Sequence, residues 1–296
     1  MRRAASDEGE GKPTSMKMLT LADEVRYQRM TTAEIRETFL LDGLAKAGEI
    51  NLNYVELDRA VVGFAAPVAA PLTLGTYPEL RAEYFTERRE LGALNIGGAG
   101  TVTVDGTVYE LENVDVLYIG RGSKQIVFAS NDAANPAVFY LMSYPAHTAY
   151  PTTLVKKAES TPMELGSLET CNKRTICKYI HTGGAKSCQL VMGVTHLAPG
   201  SNWNTMPAHT HMRRSEIYMY FNLGPDAAGN DARVFHLMGS PQELRPVVMA
   251  DKEIVASPLW SIHSGVGTRA YSFCWGMGGE NLDYADMDPA PLTTLR

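Results

Sequence analysis

Residues 91–130 read LGALNIGGAGTVTVDGTVYELENVDVLYIGRGSKQIVFAS, and this stretch decides the fold class. Val102 and Val104 alternate with threonines, the period of a strand with one buried face. Asp105-Gly106 reads as a two-residue hairpin turn, because both residue types tolerate the positive φ such a turn demands. Val108 and Leu111 continue the pattern toward Val116–Ile119, and Gly120-Arg121-Gly122 punctuates it. Short strands spaced roughly 8–12 residues apart predict a β-sandwich or barrel. The glycine run Gly97–Gly100 leads into a strand, so it lacks the helix N-terminus that a dinucleotide phosphate requires.

Outward from that stretch, a second strand-rich block runs from about residue 187 to 278, and SYPAHTAYPTTLVKKAESTPMELGS (143–167) reads as a linker. Leu72–Thr76 (LTLGT) echoes Met163–Ser167 (MELGS), which fits a duplicated β-domain. Upstream, MTTAEIRETFLLDGLAKAG (30–48) predicts a docking helix. Thr31 and Glu34 stand at capping-box spacing, Ile35, Phe39, Leu40 and Leu44 form an apolar stripe, and Gly48 can stop it.

Composition narrows the function classes. The 296 residues are 45% hydrophobic and 20% charged, with a formal net charge of −6. An acidic chain of this kind does not bind nucleic acid through clustered Lys and Arg. The longest apolar-rich run, Val61–Gly75, is too short to span a bilayer and is broken by Pro67 and Pro71, so no membrane partner is expected. The start MRRAASDEGEGKPTS has no apolar signal core and reads as a disordered extension over residues 1–16. Cys171, Cys177, Cys188 and Cys274 form no CxxC pair, which suits a reduced, cytoplasmic compartment.

Chemistry concentrates in Gly200–Phe221, GSNWNTMPAHTHMRRSEIYMYF. His209 and His211 are two apart, so a strand turns both imidazoles to one face. Glu216 can return on the adjacent strand to face them, with Tyr218 on its side of the pleat. His263, five residues beyond Pro258, offers a third imidazole. Three imidazoles and one carboxylate suit a divalent transition metal. His147, His181, His196 and His236 lack such company and read as structural.

The composite resembles the cupin pattern. Gly200, His209, His211, Glu216 and Gly224 resemble its first motif, with a longer gap after Gly200; Pro258 and His263 resemble its second, with Trp260 and Gly267 in place of the usual glycine and asparagine. The strings YFTERRELGALNIGGAGTVTVDG, LYIGRGSK, ETCNKRTICKYIH, WNTMPAHTH, RRSEIYMYF and SPLWSIHSGVGT are similar to the 5-keto-4-deoxyuronate isomerases, the 4-deoxy-L-threo-5-hexosulose-uronate ketol-isomerases, over roughly residues 20–290. The resemblance implies a mainly β chain of two cupin-like barrels (double-stranded β-helices) with a short N-terminal helical segment. Residues 17–155 would hold the helix and a metal-free barrel, and 156–296 the metal-binding barrel. It implies one zinc ion per chain on His209, His211, Glu216 and His263, a homohexamer, and a cytoplasmic role in degrading pectin-derived uronates. Met212 stands where the family usually has an acidic residue; its side chain should face away from the metal.

The implied reaction is an aldose–ketose isomerisation of a uronate. Glu216 and Tyr218 are the candidates for moving the proton. Arg174, Lys173, Arg213 and Arg214 are the candidates for binding the substrate carboxylate, since cations, and arginine above all, suit that group. Two alternatives remain at this point: an Fe(II) bicupin dioxygenase, because the same donor types hold iron, and a non-enzymatic sugar-acid-binding cupin.

Overall fold

The structure, a computed structural model, describes residues 15–296. The extension expected over 1–16 lies outside the described residues apart from Ser15 and Met16, and Met16 is buried against the first barrel's core.

Two barrels share one plan. In the first, a seven-stranded sheet runs in the order Lys17–Leu19, Ile50–Val55, Ala60–Ala65, Phe139–Pro145, Arg89–Asn95, Val116–Ile119, Thr153–Val155. A four-stranded sheet closes it: Leu72–Thr73, Ile126–Ser130, Gly100–Val104, Thr107–Leu111. In the second, the seven strands are Met163–Leu165, Arg174–Ile180, Val191–Leu197, Ser272–Gly279, Arg214–Phe221, Ile254–Ser257 and Leu40–Leu41. Its four are Trp203–Asn204, Ile262–Gly267, Val234–Gly239 and Arg245–Met249. The duplication is real, but the echo that suggested it joins unlike positions. Leu72–Thr73 matches Trp203–Asn204 in the plan, whereas Met163–Leu165 matches the edge strand Lys17–Leu19.

The deciding stretch folds as its pattern dictates. Val102 and Val104 point into the core, Thr101 and Thr103 away, and Asp105 and Gly106 take φ of 48° and 85° between the paired strands. The linker region also carries strands, Thr153–Val155 and Met163–Leu165, each added to the edge of a different barrel.

The N-terminal helix differs from its expected extent. The capping box forms, Thr31 Oγ1 accepting from the Glu34 amide and Glu34 from the Thr31 amide. The helix Thr32–Phe39 then stops well before Gly48, because Leu40 and Leu41 pair with Val255 and Ile254 as the last strand of the second barrel's large sheet. Ile35 and Phe39 join the core of that barrel, and Tyr27, ahead of the helix, donates its hydroxyl to the Met238 carbonyl at 2.8 Å. The helical segment therefore serves the barrel that follows it by some 120 residues, and not the one beside it in sequence.

The two large sheets pack face to face on one core containing Phe64, Tyr140, Met142, Tyr179, Met192 and Met219. At two points a methionine packs against a glycine: a Cβ on Gly92 would lie 2.7 Å from the Met192 sulfur, and one on Gly276 would lie 2.0 Å from that of Met142, so either methionine would have to move. Each barrel thus inserts a methionine onto a bare backbone of the other.

Candidate metal centre

Three sheets converge on one point. His209 lies on the short strand Ala208–Thr210, which pairs with Asp288–Ala290, and His211 follows immediately. Glu216 lies on Arg214–Phe221 in the large sheet, and His263 on Ile262–Gly267 in the small one. The strand expected to bring Glu216 back beside the histidines is therefore not their neighbour in a sheet; it faces them across the barrel. The ligating atoms of all four side chains lie within 4.8 Å of one another. His211, Glu216 and His263 are buried at 2%, 4% and 1% exposure.

The donors fit a cation. His211 Nδ1 lies 2.9 Å from the Arg214 carbonyl, which can only accept, so that nitrogen carries the hydrogen. Its bare Nε2 then faces Glu216 Oε2 at 2.8 Å, while His263 Nε2 stands 3.0 Å from that same oxygen and 3.0 Å from His209 Nε2. Three imidazole nitrogens and a carboxylate oxygen crowded this closely are the donor set of a divalent transition metal, with a backbone carbonyl fixing one tautomer from behind. Without a cation the same contact calls for a shared proton: burial would push the Glu216 carboxyl up, but His263 and His211 outweigh it and hold it well below the usual range, while Glu216, against burial, raises His211. Burial and then His263 hold His209 down at about 3, so it is a neutral donor.

A cavity of about 280 Å³ opens onto this cluster. Its lining includes His209, His211, Glu216, Tyr218 and Arg174, and also Thr205, Trp275 and Tyr284. Arg174 is anchored by Nη1 on the Asn172 carbonyl at 2.9 Å, and burial lowers its pKa. Burial, reinforced by Glu216, raises the Tyr218 hydroxyl well above its usual value, so it keeps its hydrogen.

Of the other three cations expected at the substrate, the two arginines are engaged elsewhere and Lys173 lies off the cavity. Arg213 Nε donates to both carboxylate oxygens of Asp286 at 2.7 Å and its Nη2 to Asp288 at 2.9 Å. Arg214 is buried with Nη2 on the Asp286 carbonyl; its contribution to the centre is the carbonyl that orients His211. Lys173 is not among the cavity's lining residues, and its amide donates to Ser201 Oγ. Met212 is 59% exposed, turned away from the cluster as expected. Trp275 and Tyr284, packed at a tilt of 43° with centroids 5.0 Å apart, have no spacing that links them to the histidines in the sequence.

A family model described as KduI/IolB matches residues 46–291. A 4-deoxy-L-threo-5-hexosulose-uronate ketol-isomerase of Lachnoclostridium phytofermentans is 56% identical over 281 residues, 95% of this chain and 100% of that protein. The chain belongs to the KduI/IolB family. Proteins of the same description from Formosa agariphila (56% identical; 90% of this chain, 93% of that one) and Escherichia coli (50%; 90% and 95%) match as well. This family member is an enzyme, a ketol-isomerase, which sets aside the dioxygenase and the non-enzymatic reading.

Solved structures supply the fold. An IolB-like protein of Salmonella typhimurium superposes with a TM-score of 0.67 at 12% identity, covering 83% of this chain and 94% of that one. Bacillus subtilis oxalate decarboxylase, a protein with Mn(II) centres, gives 0.53 at 12%, covering 77% and 71%. The two barrels are cupin-like. Among the described residues no helix is long and apolar enough to cross a membrane.

Proposed function

We propose that this ketol-isomerase is zinc-dependent and converts 5-dehydro-4-deoxy-D-glucuronate to 3-deoxy-D-glycero-2,5-hexodiulosonate, one step in breaking down pectin-derived uronates. The observation that carries the reading is the closure of His209, His211, Glu216 and His263 on one point of a cavity that also contains Arg174. The cavity's size suits a single small metabolite.

The carbonyl moves from C1 to C2 as a hydrogen leaves C2 and returns at C1, while the hydroxyl proton passes from O2 to O1. The electrons stay within the substrate, so no redox partner enters. His209, His211, Glu216 and His263 would hold the zinc ion, which would supply Lewis-acid stabilisation of developing negative charge on oxygen. Arg174 takes the substrate carboxylate, since a guanidinium pairs with it bidentately. Tyr218 donates a hydrogen bond to a substrate oxygen as charge builds on it. Glu216, a ligand first, has a second carboxylate oxygen that can accept the proton from C2 and return it on the same face. Residues 17–155 serve as scaffold and 156–296 carry the chemistry. By resemblance, the working form is a cytoplasmic homohexamer, which light scattering can check.

His211→Ala tests the centre. It should lose stoichiometric zinc and the conversion of uronate to ketose followed by NMR, while the circular dichroism stays that of the parent. Full turnover by a zinc-free variant would overturn the assignment.

A further inference from the structure

Behind Tyr218 runs a file of hydrogen-bonded side chains that the reaction above leaves unused. The Tyr271 hydroxyl donates to Asn204 Oδ1. Asn204 Nδ2 donates to Thr205 Oγ1 at 2.9 Å, and Thr205 Oγ1 lies 3.0 Å from the Tyr218 hydroxyl. Thr205 and Tyr218 line the cavity; Asn204 and Tyr271 stand behind them, at 0% and 2% exposure.

The file has a direction. Tyr271 is buried, and Asn204 Oδ1 receives its hydrogen; turning the amide over would bury that hydrogen without an acceptor, an unfavourable state. With Oδ1 so engaged, the amide nitrogen must face Thr205 and occupy a lone pair of its oxygen. A hydroxyl has one hydrogen to give. Either hydroxyl can be the donor between Thr205 and Tyr218; where Thr205 donates, Tyr218 has its own hydrogen left for the cavity.

Two independent features show that the backbone accommodates this file. Thr205 takes a φ of 51°, in the left-handed region, where a β-branched side chain is rarely found. Gly265 lies beside the Asn204 amide, where a Cβ would come within 2.7 Å of Oδ1 and 3.1 Å of the Tyr220 hydroxyl. A side chain there would displace the amide.

The geometry points to Tyr271, Asn204 and Thr205 as positioning residues that hold Tyr218 as a one-way hydrogen-bond donor to the substrate oxygen on which charge develops. No bond to hydrogen breaks in the file; it sets the orientation of one O–H before substrate arrives, so none of that order must be found during the reaction. This rests on the uronate-isomerase reading of the same cavity.

A double-mutant cycle on kcat tests it. Tyr218→Phe should lower kcat by about a hundredfold and Thr205→Val by about tenfold, the scale of losing or misaligning one such donor, with zinc content and KM little changed. Thr205→Ser should recover most of the rate, and Tyr271→Phe should behave like Thr205→Val. The deciding result is the double variant Thr205→Val/Tyr218→Phe: it should be no slower than Tyr218→Phe, since the file has nothing left to orient. Losses that multiply in the double variant, or a Tyr218→Phe enzyme at parental kcat, overturn the inference while leaving the isomerase reading in place. A parent enzyme that does not turn over the uronate removes both.

Discussion

Among the described residues, Arg174 is the cation that lines the cavity, and its anchor on the Asn172 carbonyl keeps it there with no carboxylate partner among them. Arg174→Ala should raise KM for the uronate about tenfold or more and change kcat much less, the pattern of a contact made equally in ground and transition states; an unchanged KM in steady-state assays would remove it from the site. The clustering of His209, His211 and Glu216 was legible because strand periodicity and a short turn are local properties. The fate of Arg213 and Arg214 was not, since Asp286 and Asp288 arrive from the far end of the chain. A second residue-scale expectation concerns His196, whose Nδ1 pairs with Ser272 Oγ at 2.8 Å. Burial, with a smaller push from Lys157, takes it from 6.5 down to about 4. Between those values the unfolded chain holds the proton that the native state refuses, so stability is full above 6.5 and declines as the pH falls toward 4. His196→Asn should flatten the acid limb of an unfolding-free-energy-against-pH curve by about 3 kcal/mol.

At the scale of elements, strand period and turn chemistry carried most of the fold. The hairpin at Asp105-Gly106 and the buried face of Val102 and Val104 needed only neighbours to be read. The helix shows where local reading stops. Its N-terminal cap is a four-residue signal and formed as expected, whereas its end is dictated by a strand more than 200 residues away pulling Leu40 and Leu41 into extended pairing. Tertiary pairing overrides an apolar stripe that would have continued through Leu44. Thr31→Ala should cost about 1 kcal/mol in equilibrium unfolding, the usual worth of a hydroxyl cap. Because Phe39 and Leu40 belong to the second barrel's core, that loss should appear in the unfolding of the half that carries the His/Glu cluster.

For the whole molecule, the deciding contacts run between barrels. Glu90, fully buried on a strand of the first, accepts from the amides of Cys188, Gln189 and Leu190 at 2.7, 2.9 and 2.8 Å and from Tyr118 at 2.9 Å. Asp58 reaches across similarly to accept from the amide of Ser215, the residue before Glu216. Neither contact can be foreseen from composition or spacing. Glu90→Gln would turn an amide donor toward donors, and thermal unfolding should register a loss of roughly 2–4 kcal/mol. A midpoint within a degree of the parent's would show that Glu90 does not help to hold the halves together. The N-terminal edge strand has a consequence for synthesis. Leu40 and Leu41 leave the ribosome early, yet their partners Val255 and Ile254 do not exist until translation is nearly over. At ordinary elongation rates that interval is roughly 10 to 40 seconds. Throughout it, the nascent chain must keep an apolar segment waiting, open to chaperones or to a neighbouring polypeptide, before the second barrel can be sealed.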